Sequence, residues 1–158
     1  LAIIHKKTAH LFGTCLAMGA MAAGAPEAQL TQMQLAGEQL GLAFQLRDDW
    51  LDYGTTDVGK PLGKDLQEGK CTLPLIHASQ HASVQEQQSL RHTLEHHGHD
   101  PAAQERVKQF VRQSPGMEYT QQRTLHYQIQ ALQHLTSVPD SPYKEALVTL
   151  IRTTLAYG

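Results

Sequence analysis

Apolar side chains recur along most of this chain at intervals of three and four residues, the spacing that places them on one face of an α-helix. Alternating β-branched residues, which would indicate strands, are almost absent. The clearest helical run lies between Pro26 and Gly54, and it carries apolar residues and a glycine at positions 30, 33, 37, 40, 44 and 51. The pattern predicts an all-α protein.

Glycine and proline punctuation divides the N-terminal third into two helices. The first is expected to cover residues 1–23, and the second opens at Pro26, because proline fits the first turn of a helix, and stops at Gly54. Gly37 and Gly41 lie within this second helix and leave room for a neighbour. We therefore expect another helix to pack closely against it.

The rest of the chain is predicted to hold one long irregular stretch followed by further helices. Residues 54–70 form that stretch, and an irregular segment of this length inside a compact domain is more often functional than accidental. Residues that cap or open helices mark the later starts: Thr72, Ser83 with Glu86, Asp100 before Pro101, Ser114-Pro115-Gly116, and Ser141 before Pro142. A chain of this length favours one compact unit.

Composition restricts the classes of function. The chain has 158 residues, 41% of them hydrophobic, and a formal net charge of -2, which gives no electrostatic reason to bind nucleic acid. Its least polar stretch, residues 11–26, is too short to span a bilayer, so we expect no stable membrane insertion and a cytoplasmic protein. Cys15 and Cys71 lack metal-ligand spacing, and buried reduced thiols are expected.

Three aspartates lie at the C-terminal end of the second helix. Gln45, Asp48, Asp49 and Asp52 occupy positions i, i+3, i+4 and i+7 and share one broad helix face. Two effects oppose this arrangement, by about 0.2–0.5 kcal/mol each. The acids repel one another, and they lie at the negative end of the helix dipole. A hard divalent cation reverses both effects, and Mg²⁺ commonly takes one or two carboxylates together with water and substrate phosphates. The acids therefore predict a magnesium site.

Lysines follow these acids in the irregular stretch. Lys60 and Lys70 each come directly after a glycine, and flexible ammonium groups suit phosphate oxygens. An isolated acidic motif is more often a solvated surface, so the combination with the lysines is what matters. Acids, metal and lysines together predict a diphosphate site.

The whole segment from Phe44 to Lys70, FQLRDDWLDYGTTDVGKPLGKDLQEGK, resembles the second aspartate-rich region of the trans-isoprenyl diphosphate synthases. Lys7 and Thr8 in IIHKKTAHLF resemble the Lys-Thr pair of that family. The C-terminal run QALQHLTSVPDSPYKEALVTL is similar to the end of its long-chain bacterial members, the octaprenyl diphosphate synthases in particular. The resemblance implies the isoprenoid synthase helical bundle.

The resemblance also implies roles for the acids and the loop lysines. Asp48 and Asp52 would hold Mg²⁺ ions that bridge to an allylic prenyl diphosphate, with Asp49 acting directly or through water. Lys60 and Lys70 would bind the same diphosphate as it leaves. The implied reaction is ionisation of the allylic diphosphate followed by addition of isopentenyl diphosphate.

Three further residues match family positions near the reacting carbon. Lys7, Thr8 and Gln45 would bind the diphosphate and direct dipoles toward the allylic carbocation, which they stabilise without attacking it. The released diphosphate is then expected to accept the proton that is lost. The implied product is a long-chain, octaprenyl diphosphate.

One part of the family pattern is missing from this sequence. The family has an earlier DDxxD motif followed by two arginines, and neither occurs here. Because Leu1 is not an initiator residue and the chain opens within a helical pattern, we expect residues 1–158 to be the C-terminal half of a single polyprenyl synthase domain. We expect this half to be inactive alone, and the full-length enzyme to be a homodimer.

Other interpretations stay open at this point. Within the same fold, a short-chain farnesyl or geranylgeranyl synthase is the alternative product class, and the GK-x(8)-GK loop disfavours a terpene cyclase or head-to-head synthase. A non-catalytic helical partner subunit is a third possibility, although such a subunit would be expected to have lost its acids. Four histidines, at positions 92, 96, 97 and 99, are read as helix-end residues that interact with the dipole.

Overall fold

A computed structural model describes residues 1–54, 64–97 and 99–154 of the chain. Every regular element in these ranges is helical, which confirms the all-α prediction. The elements are α1 Ala2–Ile4, a π-helical turn His5–Ala9, α2 His10–Ala22, α3 Glu27–Leu51, α4 Lys64–Gln67, α5 Leu73–Gln80, α6 Val84–His97, α7 Pro101–Gln113, α8 Gly116–His134, a 3₁₀ turn Leu135–Ser137 and α9 Pro142–Thr154. Within these ranges, none of the helices combines the length and the apolar character needed to cross a bilayer.

The helix starts predicted from capping residues are confirmed with one change. Ser83 and Glu86 form a reciprocal capping box, in which Ser83 N donates to Glu86 Oε2 at 2.8 Å and Glu86 N donates to Ser83 Oγ at 3.3 Å. Asp100 Oδ1 accepts from Ala102 N at 3.0 Å at the start of α7. Thr72 is the N-cap residue of α5, but its side chain makes no capping hydrogen bond and donates elsewhere.

Two predicted segments contain structure that the sequence pattern did not indicate. The first predicted helix is interrupted by the π-helical turn His5–Ala9, in which hydrogen bonds join residues five apart. The predicted irregular stretch contains helix α4, and Gly69 closes it with a φ of 68°, a left-handed conformation that suits glycine. Residues 55–63 lie outside the described ranges.

The structure divides the chain into two compact units, where the chain length alone favours one. Unit 1 comprises residues 1–45 and 123–158, and unit 2 comprises residues 46–122. The core of unit 1 brings together α3, the end of α8 and α9 through Ala36, Leu40, Ala43, Ala131, Leu135 and Ile151. The core of unit 2 is formed by Tyr53, Leu66, Leu75, Ala78, Leu90, Val107 and Val111.

Close packing in unit 1 depends on the two glycines of α3, as predicted. A Cβ atom added to Gly37 would lie 2.5 Å from the carbonyl oxygen of Phe12, and one added to Gly41 would lie 2.5 Å from the Cα atom of Ala9. Real Cβ atoms do not approach neighbours so closely, so only glycine allows this separation. The π-helical turn and α2 are thus held at backbone distance from α3.

The outer face of α2 carries apolar and sulfur-containing side chains. Leu11, Met18 and Met21 are largely exposed, and Cys15, on the same side of the helix by its spacing, is exposed as well. Cys71 is also exposed, so the expectation that both thiols are buried is wrong. Neither cysteine belongs to the apolar core of its unit.

Candidate functional site

The predicted site residues fall into two sets, one in each unit. Lys7, Thr8 and Gln45 belong to unit 1, whereas the three aspartates and Lys70 belong to unit 2. Helix α3 contributes to both sets. Gln45 lies in the part of the helix that belongs to unit 1, and Asp48 and Asp49 lie in the part that belongs to unit 2. Lys60 lies outside the described residues.

The three aspartates lie where α3 ends. Asp48 and Asp49 are in its last turn, and Asp52 comes directly after Leu51, with its N–H still donating to the Asp48 carbonyl oxygen at 3.2 Å. Asp49 and Asp52 are 4% and 3% exposed, whereas Asp48 is only partly buried. Each of these three residues interacts with neighbouring groups. Asp48 therefore presents the most accessible carboxylate of the three.

A buried tyrosine adjoins this acidic turn. Tyr53 is fully buried in the core of unit 2, and its hydroxyl oxygen accepts from Thr72 Oγ1 at 3.1 Å. Burial, together with the nearby Asp52 and Asp49 carboxylates, raises the pKa of Tyr53, although the hydrogen bond from Thr72 acts in the opposite direction. Tyr53 thus stays a neutral phenol beside the acids.

Two further contacts fix the backbone around the acids. Asp52 Oδ2 accepts from the backbone N–H of Asp65 at 3.3 Å, which ties the end of α3 to α4. Arg112 Nε donates to the Tyr53 carbonyl oxygen at 2.7 Å, and its Nη1 lies 3.0 Å from Glu105 Oε1. These contacts satisfy a carbonyl and a carboxylate at the helix end.

Lys70 has acidic partners in the structure. Its Nζ is ion-paired with Glu68 and lies 3.3 Å from Asp65 Oδ1. Hydrogen bonds to Glu68 and then to Asp65 raise the pKa of Lys70, so the ammonium group stays charged. The side chain is 47% exposed, and exposed pairs of this kind are weak enough to be exchanged for a phosphate.

The unit 1 set is built on the π-helical turn. Thr8 Oγ1 donates to Gln45 Oε1 at 2.8 Å, which joins two of the predicted residues directly. Ala9, the next residue, is fully buried against Gly41, while Lys7 is exposed. The turn therefore fixes Thr8 on α3 and leaves the Lys7 ammonium accessible.

The donor chemistry of the acidic turn fits a hard cation. Throughout the described ranges, no group of three or more His, Cys, Asp or Glu side chains is arranged to hold a metal ion by itself. Mg²⁺ does not need such a group, since it usually keeps water and substrate oxygens beside one or two carboxylates. Asp48, Asp49 and Asp52 supply the carboxylates that such binding of Mg²⁺ requires.

The structure adds residues that the sequence reasoning did not single out. Tyr53 and Asp65 contact the acidic turn or its neighbours, and His5, His10 and Glu38 form a cluster at the π-helical turn. Tyr53 follows the acidic motif directly, and Glu38 lies seven residues before Gln45 on the same helix face. These two spacings are the sequence signals that could have identified Tyr53 and Glu38.

The later histidines are arranged at the end of α6. The rings of His92 and His96 lie 4.8 Å apart, as expected for residues one turn apart on a helix. His99 follows the helix, and nothing in the described ranges adds the third ligand that a protein-only metal site would need.

Comparison with known protein families gives a match over most of the chain. A family model described as "Polyprenyl synthetase" matches residues 1–114. Among curated relatives, octaprenyl diphosphate synthase of Haemophilus influenzae is 39% identical over 150 residues, covering 94% of this chain and 45% of the relative. An all-trans-nonaprenyl-diphosphate synthase of Rhodobacter capsulatus is 39% identical over 158 residues, covering 98% of this chain and 47% of the relative.

Solved structures show the same similarity. A polyprenyl synthase from Caulobacter crescentus, crystallised with calcium and isoprenyl diphosphate, superposes with a TM-score of 0.90 at 32% identity and covers 98% of this chain and 48% of that one. A decaprenyl diphosphate synthase from Rhodobacter capsulatus gives a TM-score of 0.88 at 30% identity, with coverages of 97% and 48%. The chain spans about half the length of the relatives it matches.

Proposed function

Because this chain belongs to the polyprenyl synthetase family, we propose that it is the part of a trans-prenyltransferase that carries the second aspartate-rich motif. The complete enzyme would condense isopentenyl diphosphate with an allylic prenyl diphosphate. In that enzyme, residues 1–158 would form the C-terminal portion of a single polyprenyl synthase domain. The coverage of about half of each relative supports this proposal.

The observation that carries the proposal is the acidic turn at the end of α3. Asp49 and Asp52 are buried carboxylates three residues apart, next to the buried phenol of Tyr53 and at the negative end of a 25-residue helix. Burial and the helix dipole both disfavour negative charge there. The sequence keeps these acids despite that disadvantage, which is expected of groups retained to bind a divalent cation.

Magnesium, when bound at these carboxylates, would neutralise the charge that develops on a departing diphosphate. Asp48, the most accessible acid, would be its main protein ligand, with Asp52 as the second and Asp49 acting directly or through water. The Caulobacter polyprenyl synthase holds calcium and isoprenyl diphosphate in the same crystal, which supports a divalent cation for this family member as well.

The remaining residues would act on the diphosphate and the organic cation. Lys60 and Lys70 would bind diphosphate oxygens, which requires Lys70 to exchange its contacts with Glu68 and Asp65 for the substrate. Lys7 would bind the diphosphate as a third ammonium group. These lysines are point charges on flexible stems, which suits a ligand that changes charge during the reaction.

The pair formed by Thr8 and Gln45 would orient a dipole toward positive charge. Because Thr8 donates to Gln45 Oε1, the hydroxyl oxygen of Thr8 keeps its lone pairs for a cation or for another donor. Such fixed dipoles stabilise a carbocation without forming a bond to it. The two residues also hold each other in position, so neither has to reorganise during the reaction.

We propose an octaprenyl or similarly long product. The curated relatives at 37–39% identity are named octaprenyl and nonaprenyl synthases, whereas a short-chain isoprenyl diphosphate synthase from Methanothermobacter thermautotrophicus is 31% identical. A short-chain product is therefore the second choice. Product analysis of the complete enzyme by reversed-phase chromatography would decide between them.

Binding of magnesium pyrophosphate tests the proposed site. At a hundred times its dissociation constant a ligand adds about 2.7 kcal/mol, which raises the melting temperature by about 5–10 °C at this chain length. We expect such a shift with Mg²⁺ and a bisphosphonate or pyrophosphate together, and a much smaller one for Asp48→Asn.

A matched control is Asp140→Asn, because the Asp140 side chain is 98% exposed and forms an ion pair with Lys144. This variant should keep the shift of the unmodified chain. If magnesium pyrophosphate fails to stabilise the unmodified chain, the non-catalytic partner subunit becomes the better interpretation and the proposed function is wrong.

The chain by itself is predicted to be inactive. The first aspartate-rich motif and its arginine pair do not occur in the sequence, and the family uses them to bind isopentenyl diphosphate and further metal ions. Incorporation of labelled isopentenyl diphosphate by the purified 158-residue chain should stay at the level of a protein-free blank. Measurable condensation would contradict this prediction.

We also propose a cytoplasmic location and a homodimeric complete enzyme. The two exposed, unpaired cysteines fit a reducing compartment. Light scattering of the complete enzyme in solution would test the homodimer, and a mass equal to one chain would count against it.

A further inference from the structure

Three ionisable side chains meet at the π-helical turn of unit 1. His5 Nε2 donates to Glu38 Oε2 at 3.2 Å, and His10 Nδ1 lies 3.6 Å from Glu38 Oε1. Glu38 Oε1 also accepts from Gln34 Nε2 at 3.2 Å. The carboxylate of Glu38 therefore bridges the first residue of the π-helical turn and the residue that directly follows it.

This bridge depends on the unusual geometry of the turn. In a regular α-helix, residues five apart point about 140° away from each other. The backbone N–H of His10 donates to the carbonyl oxygen of His5, a π-type hydrogen bond that places one residue above the other. The two imidazole rings are consequently 6.4 Å apart, and one carboxylate reaches both.

Glu38 is itself held in place. Its side chain is 14% exposed, and its Cγ would lie 2.6 Å from a Cβ added to Gly13, so the stem of Glu38 occupies the space that this glycine leaves. Although partial burial acts in the opposite direction, hydrogen bonds from Gln34 and His5, together with the nearby His10, hold the pKa of Glu38 below its ordinary value. The bridging group is thus ionised and packed.

The residues between the two histidines are the ones to which the proposed function gives a role. Lys7 and Thr8 lie inside the turn, and Thr8 is attached to α3 through Gln45. In a regular α-helix the one-residue change of register would rotate Thr8 by about 100°. The direction of Lys7 and Thr8 therefore depends on the π-type geometry being kept.

We infer that Glu38 is a positioning residue, which holds the π-helical turn through His5 and His10 and so directs Lys7 and Thr8 toward a diphosphate ligand. This inference rests on the proposed function. π-Type turns are rare and occur frequently at functional sites, where the surrounding contacts maintain them. Glu38 supplies that contact from the neighbouring helix.

Amide hydrogen exchange and pyrophosphate binding, measured on the purified 158-residue chain with Mg²⁺, test the inference together. Glu38→Ala should speed exchange at residues 6–10 and weaken pyrophosphate binding about tenfold, the effect of misplacing one charge-assisted hydrogen bond. Glu38→Gln keeps the shape of the side chain and one acceptor oxygen, so it should retain part of the exchange protection and part of the pyrophosphate affinity. The matched control is Glu27→Gln, on the same helix and exposed, which should change neither.

The outcomes separate this inference from the proposed function. Faster exchange with unchanged pyrophosphate affinity would show that Glu38 only supports the fold, and unchanged exchange would show that it does not hold the turn, so either result overturns the inference alone. Loss of binding in Glu38→Gln equal to that in Glu38→Ala, with exchange at residues 6–10 unchanged in Glu38→Gln, would mean that the charge of Glu38 acts without the turn and would also overturn the inference. Absence of pyrophosphate binding in the unmodified chain would overturn the proposed function and this inference with it.

Discussion

Replacing Gly37 by alanine is the sharpest test of how α2 and α3 pack in unit 1. The added Cβ atom would lie 2.5 Å from the Phe12 carbonyl oxygen and 2.7 Å from both the Phe12 carbonyl carbon and the Gly13 Cα. All three neighbours are backbone atoms, which cannot turn aside as a flexible side chain can. The two helices must therefore move apart.

The expected size of the effect follows from two opposing terms. Overpacking of this kind costs about 1–3 kcal/mol, and rigid backbone neighbours favour the upper end. Alanine recovers about 1 kcal/mol because it is a better helix former than glycine. The net loss for Gly37→Ala is thus about 2 kcal/mol, or roughly 4–8 °C in melting temperature at this chain length.

Gly19→Ala is the matched control, since it makes the same chemical change in α2. A Cβ atom at Gly19 would meet nothing within 4 Å, so only the helix-propensity gain of about 0.5–1 kcal/mol remains. Circular dichroism at 222 nm during urea and thermal unfolding measures both variants. If Gly37→Ala is as stable as Gly19→Ala, the backbone contact between α2 and α3 described above is wrong.

Three other predictions address single contacts. Thr8→Val removes the hydroxyl that bonds Gln45 and should lower the free energy of unfolding by about 1 kcal/mol, whereas Thr8→Ser should recover most of it in urea titrations. Hydrogen bonds from the Ser83 side chain and backbone lower the pKa of Glu86 below its ordinary value. The ionised Glu86 therefore stabilises α6 above that ordinary value, and this stabilisation is lost as the pH falls through the lowered pKa. Glu86→Gln should flatten the acid limb of a stability–pH profile. In the complete enzyme, Asp48→Ala should lower turnover by orders of magnitude, and an unchanged rate in a labelled-substrate assay would remove Asp48 from the metal site.

Local signals explain most of what the sequence predicted correctly. The capping box at Ser83 and Glu86 is formed by residues three apart, so its hydrogen bonds need no information from the rest of the fold. The close contact at Gly37 and Gly41 follows from the absence of a side chain at two positions on one face. Patterns of this kind specify structure within one or two helical turns.

Contacts between distant segments explain what the sequence did not reveal. The Thr72 hydroxyl donates to Tyr53, nineteen residues away, instead of capping its own helix. The π-helical turn is bridged by Glu38, which lies thirty-three residues after His5. The contacts of Lys70 are local by comparison, since Asp65 and Glu68 lie within five residues of it in the sequence.

Chemical modification of the outer face of α2 can report whether that face is exposed or covered. Cys15 can be alkylated and the thioethers of Met18 and Met21 can be oxidised to sulfoxides, reactions that depend on access to reagent. In the isolated chain all three side chains should react readily with iodoacetamide or dilute peroxide. Protection of these sulfur atoms in any larger assembly, read by mass spectrometry, would locate the covered side of the helix without a crystal.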